Sequence, residues 1–577
     1  NVKDLRTPSS NLTTALAGRM AGLVAYQSTG APGEEDAQFF IRSVTSFGSG
    51  LTSPLILIDN IEVTSKELSR LNPDDISSFS ILKDASATAL YGARGANGVV
   101  LVTTKEGEKS KVKVSIRYES SVSSPTTKVD VADPVKFMEY SNIASLTRFN
   151  ELTYPQGKIE ATKDPGRNSF MYPAVDWKDM LTRNYSINHR ANINLTGGGD
   201  VAQYYLSGSF SQDNGILKVD HVNPFNTNIN LKKYTVRSNV NLFLTKSLEV
   251  KVRLSANFDD YTGPIGESGS GGANTYSKAL MANPVLFPAF YKPDEATQYV
   301  DRILFGNYSG SDYGEGSPLY LNPYADMMKG YEDVRNSTLL SQLEMHQYLG
   351  ILTSGLKARF IGSVTRYSGF NIIRSYSPYY YQYIKGSYNP KNEEFPYELA
   401  SLNPEDGSDN IDYSGSDKYV QARYYGELAI LYNRKFANKH NVGGLLVGSV
   451  KETLDGSPNS LDASLPSRNV NLAGRFTYGY SQKYFMEFNF GINGSERFDP
   501  KHRWGFFPSI GAGWQVSEEK FWEGLKGAVP KLKFRATYGL VGNDVIISND
   551  DRFFFTSNID LNGPAAGRFG NDPTPVF

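Results

Sequence analysis

The most informative absence from this 577-residue sequence is cysteine, of which there is none. Without cysteine the chain has no disulfide framework, no thiol nucleophile and no thiolate metal site. An excess of one charge is also absent, because 59 basic side chains face 60 acidic ones and leave a formal net charge of -1. No global field therefore attracts nucleic acid or an anionic surface, and any ligand must be recognised locally.

Long hydrophobic runs are missing as well. The longest apolar stretches, such as 55–58 and 99–102, are far shorter than the roughly 20 residues that a membrane-spanning helix needs. A closed β-barrel also satisfies its backbone polar groups in lipid, and its strands alternate lipid-facing and lumen-facing residues. Low hydropathy therefore does not exclude this kind of membrane protein. The chain starts at Asn1 without a charged, then apolar leader, so we expect any export signal to be cleaved or to lie outside it.

The pattern of apolar residues changes near Gly107. Before this point short apolar runs alternate with helical patterns, which is typical of a compact α+β domain. After it, apolar and polar residues alternate with period two, which is typical of strands with two different faces. We therefore predict an α+β domain over residues 1–107 and a β-barrel over residues 108–577, with the boundary at 106–110.

The alternation predicts about 13 strands after the boundary. In one of them Leu254 and Phe258 share a face, while Lys251 and Arg253 share the other. The predicted strands start near residues 111, 186, 201, 234, 247, 335, 355, 419, 442, 468, 484, 503 and 531.

The connections between the predicted strands alternate in length. Most links after even-numbered strands are short, as at 245–247 and 481–483, whereas links such as 122–185 and 259–334 are long. Outer-membrane barrels have this asymmetry, with short periplasmic turns and long extracellular loops. The link 517–530 is an exception and predicts a helical turn. A large soluble β-sandwich or a propeller also alternates, and either is the competing fold.

Closure of the barrel needs more strands than the sequence supplies. Single-chain bacterial barrels have an even number of strands, and transporters with a plugged lumen have about 22. We therefore expect about nine further strands outside this sequence. The final segment, 542–577, predicts an extracellular loop, and the barrel is expected to be incomplete at this end.

Several motifs resemble the SusC/RagA family of TonB-dependent outer-membrane transporters. In the first domain these are 11–22 (NLTTALAGRMAG), 30–33 (GAPG), 54–59 (PLILID) and, above all, 80–107 (SILKDASATALYGARGANGVVLVTTKEG). In the second domain the segments YYLSGSF at 204–210, RWGFFPS at 503–509, GW at 513–514 and YGLVGN at 538–543 agree with the same family. The resemblance runs from about residue 11 to the end of the sequence.

The resemblance implies a barrel with an N-terminal plug domain in its lumen, in the outer membrane of a Gram-negative bacterium. It implies import of an oligosaccharide, or less often an oligopeptide, with a SusD-like lipoprotein as lid and the TonB–ExbB–ExbD complex pulling the plug. No cofactor is implied, and outer-membrane lipid would surround the barrel. The signal peptide, an N-terminal extension, the TonB box and the last strands of the family are expected outside this sequence. A siderophore or cobalamin importer, and a non-transporting adhesin or assembly barrel, are the alternatives.

The plug motif supplies candidate gating residues. Asp84 suits the N-cap of a helix over 85–90, because its carboxylate can accept free amide protons. Arg94 suits bidentate pairing with carboxylates of the barrel wall, although a local ion pair within the plug explains it equally well. The glycines at 92, 95 and 98 follow a helix and precede a strand, the reverse of a dinucleotide site, and indicate turns. The gating candidates are Asp59, Lys83, Asp84, Tyr91 and Arg94.

One predicted extracellular loop is rich in tyrosine. Its rings suit stacking on sugars or on peptide side chains, although tyrosine runs also line barrel walls and aromatic girdles. The acidic segment 405–412 nearby supplies hard oxygen ligands but lacks the spacing of a calcium loop, so a solvated loop is favoured. The substrate-contact candidates are Tyr376, Tyr379, Tyr380, Tyr381, Tyr383 and Tyr388.

The sequence predicts no catalytic and no metal-binding residue. The segment 266–270 misses the nucleophile-elbow pattern at its last position and lies in a glycine-rich stretch. An enzyme site on further barrel strands is the remaining alternative. The histidines are scattered without metal-ligand spacing, at His189, His221, His346, His440 and His502.

Overall fold

A computed structural model describes residues 6–7, 9–20, 22–41, 53–83, 95, 97–127, 129–220, 222–266, 271–309, 319–415, 418–540, 542, 553 and 555. Within them a small α+β domain precedes a large antiparallel sheet. The last strand of the small domain ends at Thr104 and the first of the large sheet begins at Ser110. The domain boundary at 106–110 stays a prediction.

The small domain, which we call the plug (described residues from Arg6 to Glu106), has its own apolar core. Its main sheet has the order β4-β3-β6-β5, with β3 parallel to β6, and β1 pairs with β2. Side chains such as Leu16, Ile56 and Leu68 fill the core. The elements are α1 (Leu12–Leu16), β1 (Leu23–Tyr26), β2 (Gln38–Ile41), β3 (Leu55–Ile58), β4 (Ile61–Val63), α2 (Ser65–Ser69), a 3-10 turn (Pro73–Asp75), β5 (Ile76–Leu82) and β6 (Val99–Thr104).

Local sequence explains how α2 begins. Thr64 and Glu67 form a capping box, in which the Thr64 hydroxyl accepts the Glu67 amide at 3.1 Å and the Glu67 carboxylate accepts the Thr64 amide at 2.6 Å. This exchange satisfies two backbone donors that the first turn of a helix otherwise leaves open. Leu68 and Ser69 are buried, so the cap fixes the helix against the plug core.

The second domain consists mainly of long strands. In chain order they are β7 (Ser110–Ser123), β8 (Ser186–Gly198), β9 (Ala202–Asn214), β10 (Asn230–Phe243), β11 (Leu248–Gly263), β12 (Phe290–Tyr291), β13 (Leu304–Gly306), β14 (Gly330–Tyr348), β15 (Leu356–Ser375), β16 (Tyr380–Tyr383), β17 (Leu399–Ser401), β18 (Asp412–Gly415), β19 (Tyr419–Phe436), β20 (His440–Asp455), β21 (Ser467–Tyr480), β22 (Tyr484–Ser495), β23 (Trp504–Gln515) and β24 (Lys533–Gly539).

The long strands form one antiparallel meander, which we call the wall. Its order is β24-β23-β22-β21-β20-β19-β15-β14-β11-β10-β9-β8-β7, with β18 pairing at the loop end of β15. Each wall strand begins close to a predicted start; the largest difference is at β14, predicted near 335 and beginning at Gly330. The predicted fold class, a partial antiparallel barrel with an N-terminal α+β plug, is confirmed.

The two edges of the wall differ as predicted. One edge carries short turns at 199–201, 244–247, 349–355, 437–439 and 481–483, and we call it the turn edge. The other edge carries the long loops that follow β7, β11 and β15, and we call it the loop edge. The exceptional link after β23 forms 3-10 turns at Val516–Glu518 and Lys520–Leu525, so the predicted helical turn is present.

The two faces of the wall reverse the pattern of a soluble protein. On β10 the apolar Val236 is 58% exposed, while its neighbours Thr235 and Arg237 are each 7% exposed. The same outward apolar exposure recurs at Ile116 of β7 and Phe506 of β23. A soluble sandwich buries its apolar face, whereas a wall in lipid turns that face outward. The outward position of the apolar face is therefore evidence against a soluble β-sandwich or a propeller.

The long loops pack together into a body that we call the loop domain (the described residues within 124–185, 264–329 and 376–418). Strands from two of these loops form a sheet of order β12-β13-β16-β17, and Trp177, Phe287 and Phe305 are buried beside it. In the described residues no helix is long and apolar enough to cross a bilayer. The remaining helices are α3 (Pro134–Phe149), α4 (Gln156–Lys163), α5 (Trp177–Leu181), α6 (Gly271–Met281), α7 (Pro323–Met328) and, outside the loop domain, α8 (Leu461–Ser464).

Candidate functional site

Asp59, one of the predicted gating residues, lies in the tight turn between β3 and β4. Asp59 and Asn60 have φ of 49° and 70°, as a two-residue hairpin turn requires. The Asp59 carboxylate accepts the Thr104 amide at 2.9 Å and the Thr104 hydroxyl at 2.6 Å. Its backbone carbonyl accepts Gln342 Nε2 at 3.0 Å, and Arg253 Nε lies 3.8 Å from its Oδ2. Asp59 thus links the plug interior to two wall strands.

Glu106 connects the end of the plug to a buried charge cluster near the turn edge. Its carboxylate accepts Lys251 Nζ at 2.8 Å and Arg253 Nη2 at 2.6 Å. Arg253 also pairs with Glu344 at 2.6 Å, and Glu344 contacts His346 Nε2 at 2.6 Å. Burial opposes ionisation of Glu106, but the bonds and charges of Lys251 and Arg253 outweigh it and hold its pKa below the ordinary value. We call these five residues the turn-side cluster.

The 3-10 turn before β5 presents two carboxylates to the wall. Asp75 is fully buried, and the Tyr205 hydroxyl donates to it at 2.7 Å. Arg237 Nε lies 3.8 Å from the other oxygen of Asp75. Asp74 pairs with Arg117 of β7 at 2.8 Å. This turn is therefore fixed by side chains of three wall strands, β7, β9 and β10.

Lys233 of β10 contacts polar groups of the plug and of the neighbouring wall strand, β9. Its Nζ donates to Ser10 at 2.9 Å and lies 3.4 Å from Glu35 and 3.6 Å from Asp213. Ser10 in turn donates to Asp213 at 2.5 Å. Burial raises the pKa of Glu35 although Lys233 acts in the opposite direction. The buried surroundings of Glu35 therefore disfavour the charged form of its carboxyl group.

The helix α2 and the strand before it contact a fourth part of the wall. Arg70 Nε pairs with Asp259 of β11 at 2.7 Å. Arg423 of β19 donates to the Glu62 carbonyl at 3.0 Å and lies 3.4 Å from the Glu67 carboxylate. Burial opposes the charge of Arg70, but Asp259 and Asp36 outweigh it and raise the Arg70 pKa. The Glu62 carboxylate also pairs with Lys451 of β20, at 3.0 Å.

A polar cavity of about 240 Å³ opens between α2 and the wall. It is bounded by β11, β14, β15 and β19, and we call it the α2 cavity. Its lining consists of hydroxyl, amide and charged groups, with one aromatic ring. The lining residues are Thr64, Lys66, Glu67, Arg70, Asn257, Asp259, Asn336, Thr338, Thr365, Tyr367, Gln421 and Arg423.

Most ion pairs between plug and wall have the carboxylate on the plug and the cation on the wall. The plug contributes mainly carboxylates and the wall mainly lysine and arginine. In the described part, the pair of Arg70 with Asp259 has the cation on the plug instead. Buried charges of this kind need partners, because an unpaired one costs several kcal/mol. Water can replace such partners once the surfaces separate, which an apolar interface does not allow. The plug is therefore held in place by paired polar contacts, which water could replace if the surfaces separated.

The other predicted gating residues have different positions. Lys83 lies against Gly22 inside the plug, where a Cβ on that glycine would come within 2.5 Å of Lys83 Nζ. Gly22 has φ of +81°, a conformation that suits glycine. Asp84, Tyr91 and Arg94 lie outside the described residues, as does the predicted helix 85–90. Of the predicted set, Asp59 is the residue placed at the plug–wall interface.

The predicted tyrosines belong to the loop domain. Tyr376 and Tyr380 pack against the cluster that contains Phe305, and burial raises the pKa of Tyr380 to about 12. Tyr381 is 3% exposed, and Tyr379 and Tyr383 pack against its cluster. Tyr388 is 39% exposed. The structure thus places five of these rings within the packing of the loop domain and Tyr388 at its surface; their role as substrate contacts stays a prediction.

Arg302 joins the tyrosine run to the acidic segment 405–412. Its guanidinium carbon lies 3.8 Å from the centre of the Tyr379 ring, and its Nε donates to the Tyr381 hydroxyl at 3.1 Å. Its Nη1 contacts both Asp409 oxygens at 3.0 Å. A Cβ on Gly407 would come within 2.2 Å of the Tyr379 ring, so the acidic segment lies directly on that ring. The described residues contain no group of three or more histidine or acidic side chains that could hold a metal ion.

Sequence reasoning missed most of the plug's partners. It placed Lys251 and Arg253 on the polar face of a strand but could not say what they face. Arg70 and Glu35 lie outside the recognised motifs and gave no signal. The available clue was a basic residue on the polar side of a wall strand, since this position faces the lumen.

Comparisons with known proteins agree with this architecture. Residues 2–99 match the family model described as TonB-dependent Receptor Plug Domain. The chain is 29% identical over 576 residues to the TonB-dependent receptor P26 of Formosa agariphila, covering 93% of this chain and 50% of that relative. It is 25% identical over 589 residues to the TonB-dependent receptor SusC of Bacteroides thetaiotaomicron, covering 98% of this chain and 53% of that relative. The chain spans about half the length of the curated relatives it matches.

A solved structure has the same fold. The structure of the RagAB peptide importer in the "closed-closed" state superimposes with a TM-score of 0.68 and covers 94% of this chain and 60% of its own. Sequence identity to that structure is 18%, so the similarity shows a shared fold only. The likeness extends over plug and wall together.

Proposed function

From the premise that this chain is the plug and part of the barrel of a SusC/RagA-type TonB-dependent receptor, we propose that the protein imports an oligomeric nutrient across the outer membrane of a Gram-negative bacterium. Import is driven by the TonB–ExbB–ExbD complex, which displaces the plug from the lumen. The protein performs no chemistry on its cargo. The division into a plug over 1–107 and a barrel over 108–577 is part of this proposal.

The observation that carries the proposal is the plug–wall interface. Asp59, Asp75 and Glu106 lie against cationic side chains of the wall, and the plug closes its own apolar core separately. A plug built in this way can be withdrawn as a folded unit or partly unfolded, because the surfaces it leaves are polar. The outward apolar face of the wall supports the location in lipid.

For the cargo we propose an oligosaccharide, with an oligopeptide as the second candidate, and a SusD-like lipoprotein as a lid over the loop domain. The loop domain stands on the loop edge, where a lid would seal the lumen. Tyr388, at the surface of this domain, is the proposed first contact for cargo, since an exposed ring can stack on a sugar face. Replacing Tyr388 with alanine should weaken cargo binding and leave the loop domain folded.

Cross-linking the plug to the wall tests the proposed displacement. This sequence has no cysteine, so in a cysteine-free background of the whole protein the pair Glu62→Cys and Lys451→Cys can be joined selectively with a short bis-maleimide. These two side chains meet at 3.0 Å across the interface. The matched control joins Glu452→Cys to Arg468→Cys, whose side chains meet at 2.8 Å within the wall. We expect the first link to abolish energised uptake and the second to leave it; uptake through a linked plug would refute the proposal.

Mass spectrometry of the purified outer-membrane complex tests partner and cargo. A stoichiometric lipoprotein with bound glycan would support the proposal as stated, and bound peptide would change the cargo class. A barrel without lid or cargo would favour the siderophore or adhesin alternatives. Uptake that persists after a protonophore would contradict TonB-driven import.

A further inference from the structure

The α2 cavity lies in the half of the lumen that faces the loop domain. Gln421 and Arg423 stand near the loop end of β19, which begins at Tyr419. Asn336 stands near the loop end of β14, which begins at Gly330. The turn-side cluster occupies the other half of the same strands. Cargo that enters between the loops therefore meets the α2 cavity before it meets the turn-side cluster.

The lining of the α2 cavity contains one more cationic side chain than carboxylates. Arg70 is paired with Asp259, and Arg423 with Glu67. Lys66 forms no salt bridge in the part of the chain that the structure describes. The Lys66 side chain is nevertheless exposed to the cavity, where desolvation and then the Arg70 charge lower its pKa, so its ammonium group is open to a ligand.

A further carboxylate that acts on Lys66 is already engaged. Asp36 accepts the Asn11 side-chain amide at 2.6 Å and lies 3.8 Å from Arg70 Nη1. Its charge, like that of Asp259, still acts on Lys66 from a distance, which limits but does not remove the local positive excess. A negative group on a ligand in the cavity would supply the missing partner.

The remaining lining suits a ring that carries hydroxyl groups. Asn257, Asn336 and Gln421 offer amide donors and acceptors, which hydroxyls can match in either direction. Tyr367 adds a ring, itself stacked on Tyr419 at 5.2 Å and 25°. A volume of about 240 Å³ is below the roughly 300–1,000 Å³ of pockets that enclose whole drug-sized ligands. The cavity therefore fits one unit of an oligomer.

We propose that the α2 cavity is a subsite for an anionic sugar unit, whose carboxylate or sulfate group pairs with Lys66 while its hydroxyls bond to the wall amides. This proposal rests on the proposed function and narrows its cargo to an acidic oligosaccharide. Lys66 acts as a specificity-determining residue, because it offers a charge that neutral sugars cannot use. Since Lys66 is on the plug, cargo bound there touches the element that must move.

Binding to the purified full-length protein in detergent tests this subsite. The probes are glucuronate, glucose 6-sulfate, glucose and N-acetylglutamate, measured by calorimetry and saturation-transfer NMR. The variants are Lys66→Gln, Lys66→Arg and, as a matched control, Lys246→Gln in an exposed turn at the opposite edge. Loss of a charged hydrogen bond should weaken both acidic sugars roughly 10- to 100-fold in Lys66→Gln. Lys66→Arg and Lys246→Gln should bind them nearly as the unchanged protein does, and glucose should respond to none of the changes.

Three results would overturn the subsite: no binding of acidic sugars to the unchanged protein, equal binding to Lys66→Gln, or Lys66-dependent binding of N-acetylglutamate in their place. The last result would assign the cavity to acidic peptide side chains. Failure of import is distinguishable, because a protein that binds glucuronate through Lys66 yet imports no acidic oligosaccharide retains the subsite and loses the proposed function.

Discussion

The plug buries two surfaces of opposite character. Its interior is closed by aliphatic side chains such as Leu16, Ile56 and Leu68, which lie together out of water. Its surface against the wall is closed by charged groups, as at Asp75 and Glu106. Apolar burial holds the domain together, whereas paired charges hold it in place. Charged groups regain favourable partners in water when two surfaces separate, whereas apolar groups do not. The stability of the plug's fold and the stability of its attachment to the wall therefore depend on different contacts.

Removing the central cation of the turn-side cluster should have the largest effect on attachment. Arg253→Met leaves Glu106 and Glu344 buried with too little compensation, which costs roughly 3–5 kcal/mol. We expect the plug to leave the lumen at lower urea concentration, measured as channel conductance in planar bilayers. Adding Glu106→Gln should restore part of the loss. Arg468→Met removes a more exposed ion pair within the wall and is the control; an equal effect there would contradict the role given to Arg253.

An apolar deletion in the plug interior should weaken the fold and spare the attachment. Leu68→Ala creates a cavity at a fully buried position and should cost roughly 2–5 kcal/mol. Hydrogen exchange at the amides of β3 and β6 should accelerate accordingly. Leu428→Ala, on the outward face of β19 and 59% exposed, should leave these amides unchanged. If both variants accelerate exchange of the plug amides equally, the plug core is not the separate unit described above.

Acidification should distinguish two carboxylates of the same interface. The pKa of Glu106 is below its ordinary value of 4.5, so its stabilisation is present above that pH and is lost as pH falls through the lowered pKa. The pKa of Glu35 is raised above 4.5, so its contribution is present below 4.5 and is lost as pH rises through the raised pKa. At neutral pH, Glu106→Gln should therefore loosen the plug by roughly 1.5–3 kcal/mol, and Glu35→Gln should tighten it. Urea-dependent conductance at pH 4 and pH 7 measures both, and shifts of the same sign would refute the assignment.

The smallest effect is expected where a similar ion pair is exposed. Asp409→Asn breaks the pair with Arg302 in the loop domain, where the Asp409 side chain is 57% exposed. Exposed pairs contribute roughly 0.2–1 kcal/mol, and Arg302 keeps its contacts with Tyr379 and Tyr381. Thermal unfolding of the loop domain should barely change. A loss comparable to that of Arg253→Met would show that burial is not what gives the plug–wall pairs their strength.

Much of the fold was predictable from local pattern. Alternation along β10 places Val236 and Arg237 on opposite faces whatever the tertiary structure, because side chains in a strand alternate by geometry. The short turns and long loops also follow from the spacing of these segments. The plug motif makes Asp59 a gating candidate, and the structure places it against the wall; its role in gating stays a prediction.

The site was less predictable, because its contacts join distant parts of the chain. Arg70 meets Asp259, and Glu62 meets Lys451, across separations that leave no local trace. The sequence offers the tyrosines from Tyr376 to Tyr383 as substrate contacts or as wall-lining rings, and the structure packs these rings within the loop domain; their role as contacts stays a prediction. Composition shows that aromatic rings are present, whereas packing decides which of them are free.

The sequence by itself determined the strands, their two faces, the alternating connections and the plug motif, since each depends on neighbours within a few residues. Only the tertiary structure decided that the polar face is the buried one, which carboxylate of the plug meets which cation of the wall, and that Lys66 lines a cavity without an ion pair among the residues that the structure describes. These depend on how the wall curves around the plug, and that arrangement is set by the packing of the whole chain.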